Sequence, residues 1–247
     1  PDYAGYVKAI IDGGVTIVET AGTSAVAEFW EMMKPHGIRI LHKCTSVRHS
    51  ASAERKGVDA ISIDGFECAG HPGEDDIPGL VLIPCAADQV KIPMIASGGF
   101  GDGRGLVAAL ALGAEGINMG TRFCATQEAQ IHPNVKQAYV DNDERGTHLI
   151  FRKFKNTARV GKSAVSDEVA RRLAEPDAKF KDVAELVAGT AGRELLQTGD
   201  LTKGVFWASM VQGLIHDIPT CQELIDRIIS EADAILDNRL AGMHTRT

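Results

Sequence analysis

The chain has 247 residues, 44% of them hydrophobic, and its 26 Lys and Arg against 33 Asp and Glu give a formal net charge of −7. That composition excludes a disordered or collagen-like chain, and the negative balance offers no basic field to hold nucleic acid, so no nucleic-acid partner is expected. Apolar runs such as 80–83 and 106–112 fall far short of the roughly 18 residues that cross a bilayer, and the five cysteines form no C-x-x-C pair, so a soluble, cytoplasmic protein with no membrane partner is expected.

In chain order, short β-branched runs recur, each followed by Gly or small polar residues. Residues 15–19, 38–43, 60–64, 94–97 and 116–119 read as five buried strands, continuous in hydrophobicity as parallel strands covered on both faces are. Amphipathic stretches over 25–36, 48–56 and 105–112 fit crossover helices, so the repeating unit is βα. Such repeats build either an open doubly wound sheet or a closed (β/α)8 TIM barrel. The barrel is favoured, because no G-x-G-x-x-G follows a first strand and functional-looking residues end all five strands: Glu19, Thr20, Lys43, Asp64, Ser97, Gly120 and Thr121. Beyond residue 119 the chain reads as almost wholly helical, over 135–141, 164–173, 183–188 and 222–240. The last helix opens on a capping box, Thr220 with Glu223, and carries an apolar stripe of Leu224, Ile228, Ile235 and Leu236.

The expected class is therefore α/β: a partial barrel, strands 4 to 8, over residues 1–125; a helical cap over 126–215; and a C-terminal barrel helix over 216–247. Three units are left over, about 75 residues at about 25 per unit, and the chain opens on Pro1 rather than Met, so an N-terminally truncated reading frame is expected. A five-stranded half-barrel is the alternative.

The chemistry concentrates at the strand ends. Ser97-Gly98-Gly99-Phe100-Gly101 and Met119-Gly120-Thr121-Arg122 close successive strands, and paired glycine loops let backbone N–H groups approach a phosphate. The densest polar loop, 64–76, holds His71 between Gly70 and Gly73, placed for proton transfer or for polarising a substrate oxygen. Its acidic run, Glu74 to Asp76, is expected to cap or flank the next helix. Lys43 suits an anionic ligand group or the electron-rich end of a reduced flavin, with a salt-bridged core lysine as the alternative. His42, Cys44, Cys68 and His71 are a competing set of zinc ligands, although strand alternation turns Lys43 away from His42 and Cys44, and only one of those faces meets the site. Cys68 as a covalent nucleophile is a further alternative.

From His42-Lys43-Cys44-Thr45 through the 64–78 loop, Ile95 to Phe100 and Met119 to Phe123, the chain resembles the nitronate monooxygenase (2-nitropropane dioxygenase) family of FMN-dependent barrels. The resemblance covers nearly all of the chain, including Asn156 to Val160 and Met210 to Ile215. It implies an FMN site at Lys43, Asp64, Ala69, Gly70, Ser97, Gly98, Gly99, Gly120 and Thr121, with Ser97, Gly99, Gly120 and Thr121 around the phosphate. It also implies His71 as the catalytic residue facing the flavin, and no metal ligand set. The implied activity is oxidation of alkyl nitronates with O2 to a carbonyl compound and nitrite. An NADH:quinone reductase, with NADH as co-substrate, is the alternative, and the spelling of 69–76 looks closer to that branch. A metal-dependent barrel hydrolase using His42, Cys44 and His71, and a non-catalytic sensor of phosphate ligands, are remoter readings.

Overall fold

The structure, a computed structural model, describes residues 2–22 and 26–243. Ala25, the expected start of the first amphipathic helix, lies outside the described residues. Five strands, β1 (Ile17–Thr20), β2 (Arg39–Cys44), β3 (Ala60–Asp64), β4 (Met94–Ser97) and β5 (Gly116–Asn118), form one parallel sheet in sequential order. This is an arc of a βα barrel, and all five expected strands are in it. Crossovers run through α2 (Ala27–Met33), α3 (Val47–Arg55), α4 (Gly79–Ala87) and α5 (Gly103–Ala111). Ile40, Ile61, Ile63 and Ala96 are fully buried beneath these helices, against Trp30, Met33, Leu82 and Ile83. Each large aliphatic side chain removed from water there contributes roughly 1.5–3 kcal/mol, which explains why strands this apolar stay sandwiched.

The register sets the strand ends level: Lys43 lies beside Ser62, Asp64 beside Ser97, and Ser97 beside Asn118. Along β2 the burial alternates, with Ile40, His42 and Cys44 buried and Leu41 and Lys43 half-buried. Period-two alternation thus turns Lys43 into the barrel interior and its two neighbours toward the helices.

Two helices within the barrel arc have no counterpart among the expected elements. One is α1 (Tyr3–Asp12), capped by the Asp2 carboxylate, which accepts the Gly5 N–H at 2.9 Å. The other is α4, whose almost unbroken apolar run carries no readable period and whose Pro84 argues against a helix locally. Its N-terminus is capped by Glu67, which accepts the Gly79 N–H at 2.9 and 3.1 Å, so the Glu74 to Asp76 run does not serve that purpose.

After β5 and a single turn, α6 (Thr121–Cys124), the chain is not wholly helical. Between α7 (Pro133–Asp141) and α8 (Ala164–Leu173) lies an antiparallel hairpin, β6 (Thr147–Ile150) with β7 (Ala158–Gly161). Residues 183–187 are turns, and the helix begins only at Gly189, as α9 (Gly189–Thr198). The final helix, α10 (Cys221–Ala234), has the expected capping box, Thr220 Oγ1 accepting from Glu223 N at 3.2 Å and Glu223 Oε2 from Thr220 N at 2.8 Å. Its buried stripe is Leu224, Ile228 and Ala232; Leu236 is 47% exposed because residues Ile235–Leu240 are π-helical, and the wider turn rotates the stripe off the core. The helix sits so close to α5 that a Cβ on Gly103 would meet Glu231 Cβ at 2.5 Å, and Gly103 N donates to Glu231 Oε2 at 2.9 Å. Among the described residues, no helix is long and apolar enough to cross a membrane.

Candidate functional site

At the C-terminal ends of the strands the interior side chains form a polar cluster. Lys43 Nζ lies 3.3 Å from Glu19 Oε1 and 3.4 Å from Asp64 Oδ1, and it donates to Ser62 Oγ at 3.3 Å. Asn118 Nδ2 donates to Glu19 Oε1 at 3.3 Å, closing the group from β5. Burial raises the pKa of the Asp64 carboxyl above its ordinary value, and the Lys43 ammonium opposes that rise. Lys43 is therefore salt-bridged and also turned toward open space.

Two adjoining cavities share Lys43, Asp64 and Ala69 as a common wall. The smaller, of about 190 Å³, is lined by Ser97, Gly98, Gly99, Gly120 and Thr121, all five of the strand-end residues expected there. The larger, of about 550 Å³, is the mouth, lined by the exposed His71 together with Lys155, Asn156 and Thr157 of the hairpin. The two glycine loops are not equivalent. Gly98 has φ +85°, and a Cβ there would meet Cys68 Cβ at 2.8 Å and Gly65 O at 3.0 Å, so glycine is demanded by the neighbouring loop. Gly120 has no atom within 4 Å of the Cβ position and faces open space. The Thr121 hydroxyl accepts the Ser209 N–H at 3.0 Å, and Ser209 Oγ donates to Glu67 O at 2.7 Å, which brings the 209–211 segment over the small cavity.

The loop that carries His71 is held by the hairpin. Gly70 and Arg159 exchange both main-chain hydrogen bonds, at 3.1 and 2.6 Å, so Gly70 has its peptide groups engaged with the hairpin. The buried Arg159 guanidinium donates to Phe66 O at 2.9 Å, Cys68 O at 3.1 Å and Thr147 Oγ1 at 2.9 Å, and it lies 4.6 Å from the Phe66 ring centroid. Glu74 accepts from Thr157 N at 2.7 Å and from Thr157 Oγ1 at 2.6 Å; Asp76 pairs with Arg152 at 2.9 Å. The acidic run thus ties the mouth to the hairpin. The His71 imidazole lies 6.0 Å, centroid to centroid, from Trp207. Sequence reasoning passed over Arg159, Thr157 and Trp207 as functional positions; the one available signal was a charged residue inside the apolar Ala158-Arg159-Val160 run.

The competing chemistries fare poorly in this geometry. Burial, reinforced by the Asp64 charge, pushes the Cys68 thiol up to about 12, which keeps it protonated and unfit as a nucleophile. His42 and Cys44 face the helices, with the His42 ring 4.9 Å from Trp30, so they are not brought together with His71 as zinc ligands.

A model of the nitronate monooxygenase family matches residues 2–231. This chain belongs to that family. A curated relative from Rhodococcus jostii, named (3aS,4S,5R,7aS)-5-hydroxy-7a-methyl-1-oxo-octahydro-1H-indene-4-carboxyl-CoA dehydrogenase, is 31% identical over 83% of this chain and 67% of its own length. A probable nitronate monooxygenase from Staphylococcus saprophyticus is 26% identical over 94% of this chain and 67% of its own. Among solved structures, FabK from Thermotoga maritima superposes with a TM-score of 0.89 at 30% identity, over 98% of this chain and 76% of that one. The chain thus spans about two thirds of the length of these curated relatives.

Members of the nitronate monooxygenase family are generally FMN-dependent oxidoreductases, and the residues present fit that cofactor. The small cavity pairs two glycine loops with the open face at Gly120, suited to a phosphate, and leads past a fixed ammonium into a roomier mouth.

Proposed function

We propose that this chain carries the FMN site and the proton-handling mouth of an oxidoreductase that converts alkyl nitronates and O2 into a carbonyl compound and nitrite. The observation that carries the reading is the shared wall of Lys43, Asp64 and Ala69, which joins a glycine-lined cradle to a mouth rimmed by His71. FMN, when bound, supplies the redox chemistry, accepting electrons from substrate and passing them to O2. Ser97, Gly99, Gly120 and Thr121 would hold its phosphate, with Gly98 in the same cradle. Lys43, kept in place by Glu19 and Asp64, puts positive charge on the common wall, where it stabilises negative charge on cofactor or substrate. His71 donates a hydrogen bond to a nitronate oxygen, or takes the proton from a neutral nitroalkane. Lys155 at the mouth suits an anionic substrate.

The spelling Ala69-Gly70-His71-Pro72-Gly73-Glu74-Asp75-Asp76 favours a second reading, NADH:quinone reduction in the same site. One set of measurements separates the two. Protein absorbing near about 450 nm should consume O2 and release nitrite with propionate-3-nitronate, and stay yellow under anaerobic NADH. Bleaching by NADH and recovery on adding quinone would assign the reductase, and a colourless protein after incubation with FMN would refute both. His71→Ala should lower turnover by roughly 10²- to 10⁴-fold, while a change of less than threefold would reduce His71 to a positioning residue.

A further inference from the structure

We propose that His42, Cys44 and His49 form a binding site for a divalent transition-metal ion of the zinc type, on the helix-facing side of β2. Strand alternation sets His42 and Cys44 on that side together, and the first turn of α3 brings His49 over them. One ligand atom from each residue lies within 4.8 Å of the others, and the two Nε2 atoms are 3.3 Å apart. With zinc–nitrogen bonds of about 2.0–2.1 Å and zinc–sulfur bonds of about 2.3 Å, a tetrahedron has N–N edges of about 3.3–3.4 Å and N–S edges of about 3.6 Å. The imidazole pair already stands at that separation, and with all three ligand atoms within 4.8 Å of one another the sulfur closes to the N–S edge by a shift of roughly 1 Å.

The groups around His42 accommodate the tautomer that such an ion requires. His42 Nδ1 is 2.9 Å from Thr20 Oγ1, Trp30 Nε1 donates to the same oxygen at 3.1 Å, and Thr20 Oγ1 lies 3.5 Å from Leu41 O. With Nε2 on the ion, His42 Nδ1–H donates to Thr20 and the Thr20 hydroxyl to Leu41 O, so every donor has an acceptor. Two imidazoles and a thiolate select zinc or cobalt over magnesium and calcium. Of the three, the half-buried His49 lines the mouth cavity and is the side on which an ion would enter. Binding releases the Cys44 proton to solvent and ties β2 to the start of α3, a structural role distinct from the redox chemistry on the opposite side of the strand.

The test is titration of the metal-free chain with Co2+ under a non-thiol reductant, read as difference spectra. One equivalent should produce visible d–d bands and a near-ultraviolet thiolate-to-cobalt band. Cys44→Ser should abolish the latter and Cys85→Ser should leave it unchanged. His49→Gln, a partly exposed position that spares the core, should weaken binding at least tenfold. Zn2+ at a hundred times the wild-type dissociation constant should raise the wild-type unfolding midpoint by roughly 5–10 °C and that of His49→Gln by no more than about half as much. The proposal is overturned if no thiolate band appears in the wild type, if the band survives in Cys44→Ser, or if the zinc-induced shift is as large in His49→Gln as in the wild type.

Discussion

Replacing Arg159 with Met keeps the apolar stem and removes the guanidinium that holds three acceptors. Phe66 O, Cys68 O and Thr147 Oγ1 each lose a donor at 2.9–3.1 Å, in a site where the arginine is 4% exposed. Hydrogen bonds from a charged donor contribute about 1.5–3 kcal/mol each, so the gross loss is about 5–9 kcal/mol. Part is recovered because the guanidinium is costly to bury; desolvation lowers its pKa below the ordinary value. A net loss of about 3–5 kcal/mol remains, comparable to breaking a buried ion pair, and in a chain of this size it lowers the midpoint by roughly 6–20 °C. Thermal unfolding followed by circular dichroism measures the loss, and hydrogen exchange locates it: amides of 65–76 should lose protection ahead of the sheet. Arg159→Lys should recover only a fraction, since one ammonium cannot reach three directions. A loss below about 1 kcal/mol for Arg159→Met, with exchange in 65–76 unchanged, would show that the arginine does not hold the loop.

Other consequences are simpler to check. Glu74→Gln removes a carboxyl whose pKa the Thr157 hydroxyl and N–H hold below its ordinary 4.5. A depressed carboxyl contributes stability above its unfolded pKa and loses it as pH falls through the folded one, so the midpoint gap between wild type and variant should exist near neutrality and narrow as the pH falls below the ordinary 4.5. Gly98→Ala forces a Cβ into Cys68 at a left-handed φ and should cost about 1–3 kcal/mol by denaturant titration, whereas Gly120→Ala should fold within about 0.5 kcal/mol of wild type yet bind FMN at least tenfold more weakly by fluorescence quenching. Cys68→Ser should retain turnover within a fewfold, because a thiol pushed up to about 12 performs no nucleophilic step; complete inactivation with the fold intact would contradict this.

The sequence made the sheet legible because short apolar runs closed by Gly or small polar residues recur at βα spacing, whereas the equally apolar Gly79–Ala87 run, with no readable period, gave no sign of its helix. The Ser97 to Gly99 and Gly120 to Thr121 loops and Lys43 were readable for the same reason: they fall at the ends of those strands. The hairpin was hidden because all four residues of Ala158–Gly161 are buried, Arg159 included, so no period-two pattern survives. The helix at Gly189–Thr198 was displaced in the reading because Gly189 and Gly192 suppress helical propensity, while Val183, buried in the cap core, lent residues 183–188 a false helical look. Gly192 packs closely, since a Cβ there would stand 3.3 Å from Val205 O. The role of Glu74 was missed because its partner, Thr157, is 83 positions away, beyond any local rule.

The bond between Arg159 and the carbonyl of Cys68 spans 91 positions of chain. A loop anchored at that distance cannot settle until the hairpin has formed and come to rest, so the rim bearing His71 should be among the last parts to order during refolding. For anyone grafting caps between relatives to alter substrate preference, the transplant must bring Arg152, Thr157 and Arg159 with it, or the recipient will acquire a new roof over an entrance that no longer keeps its shape.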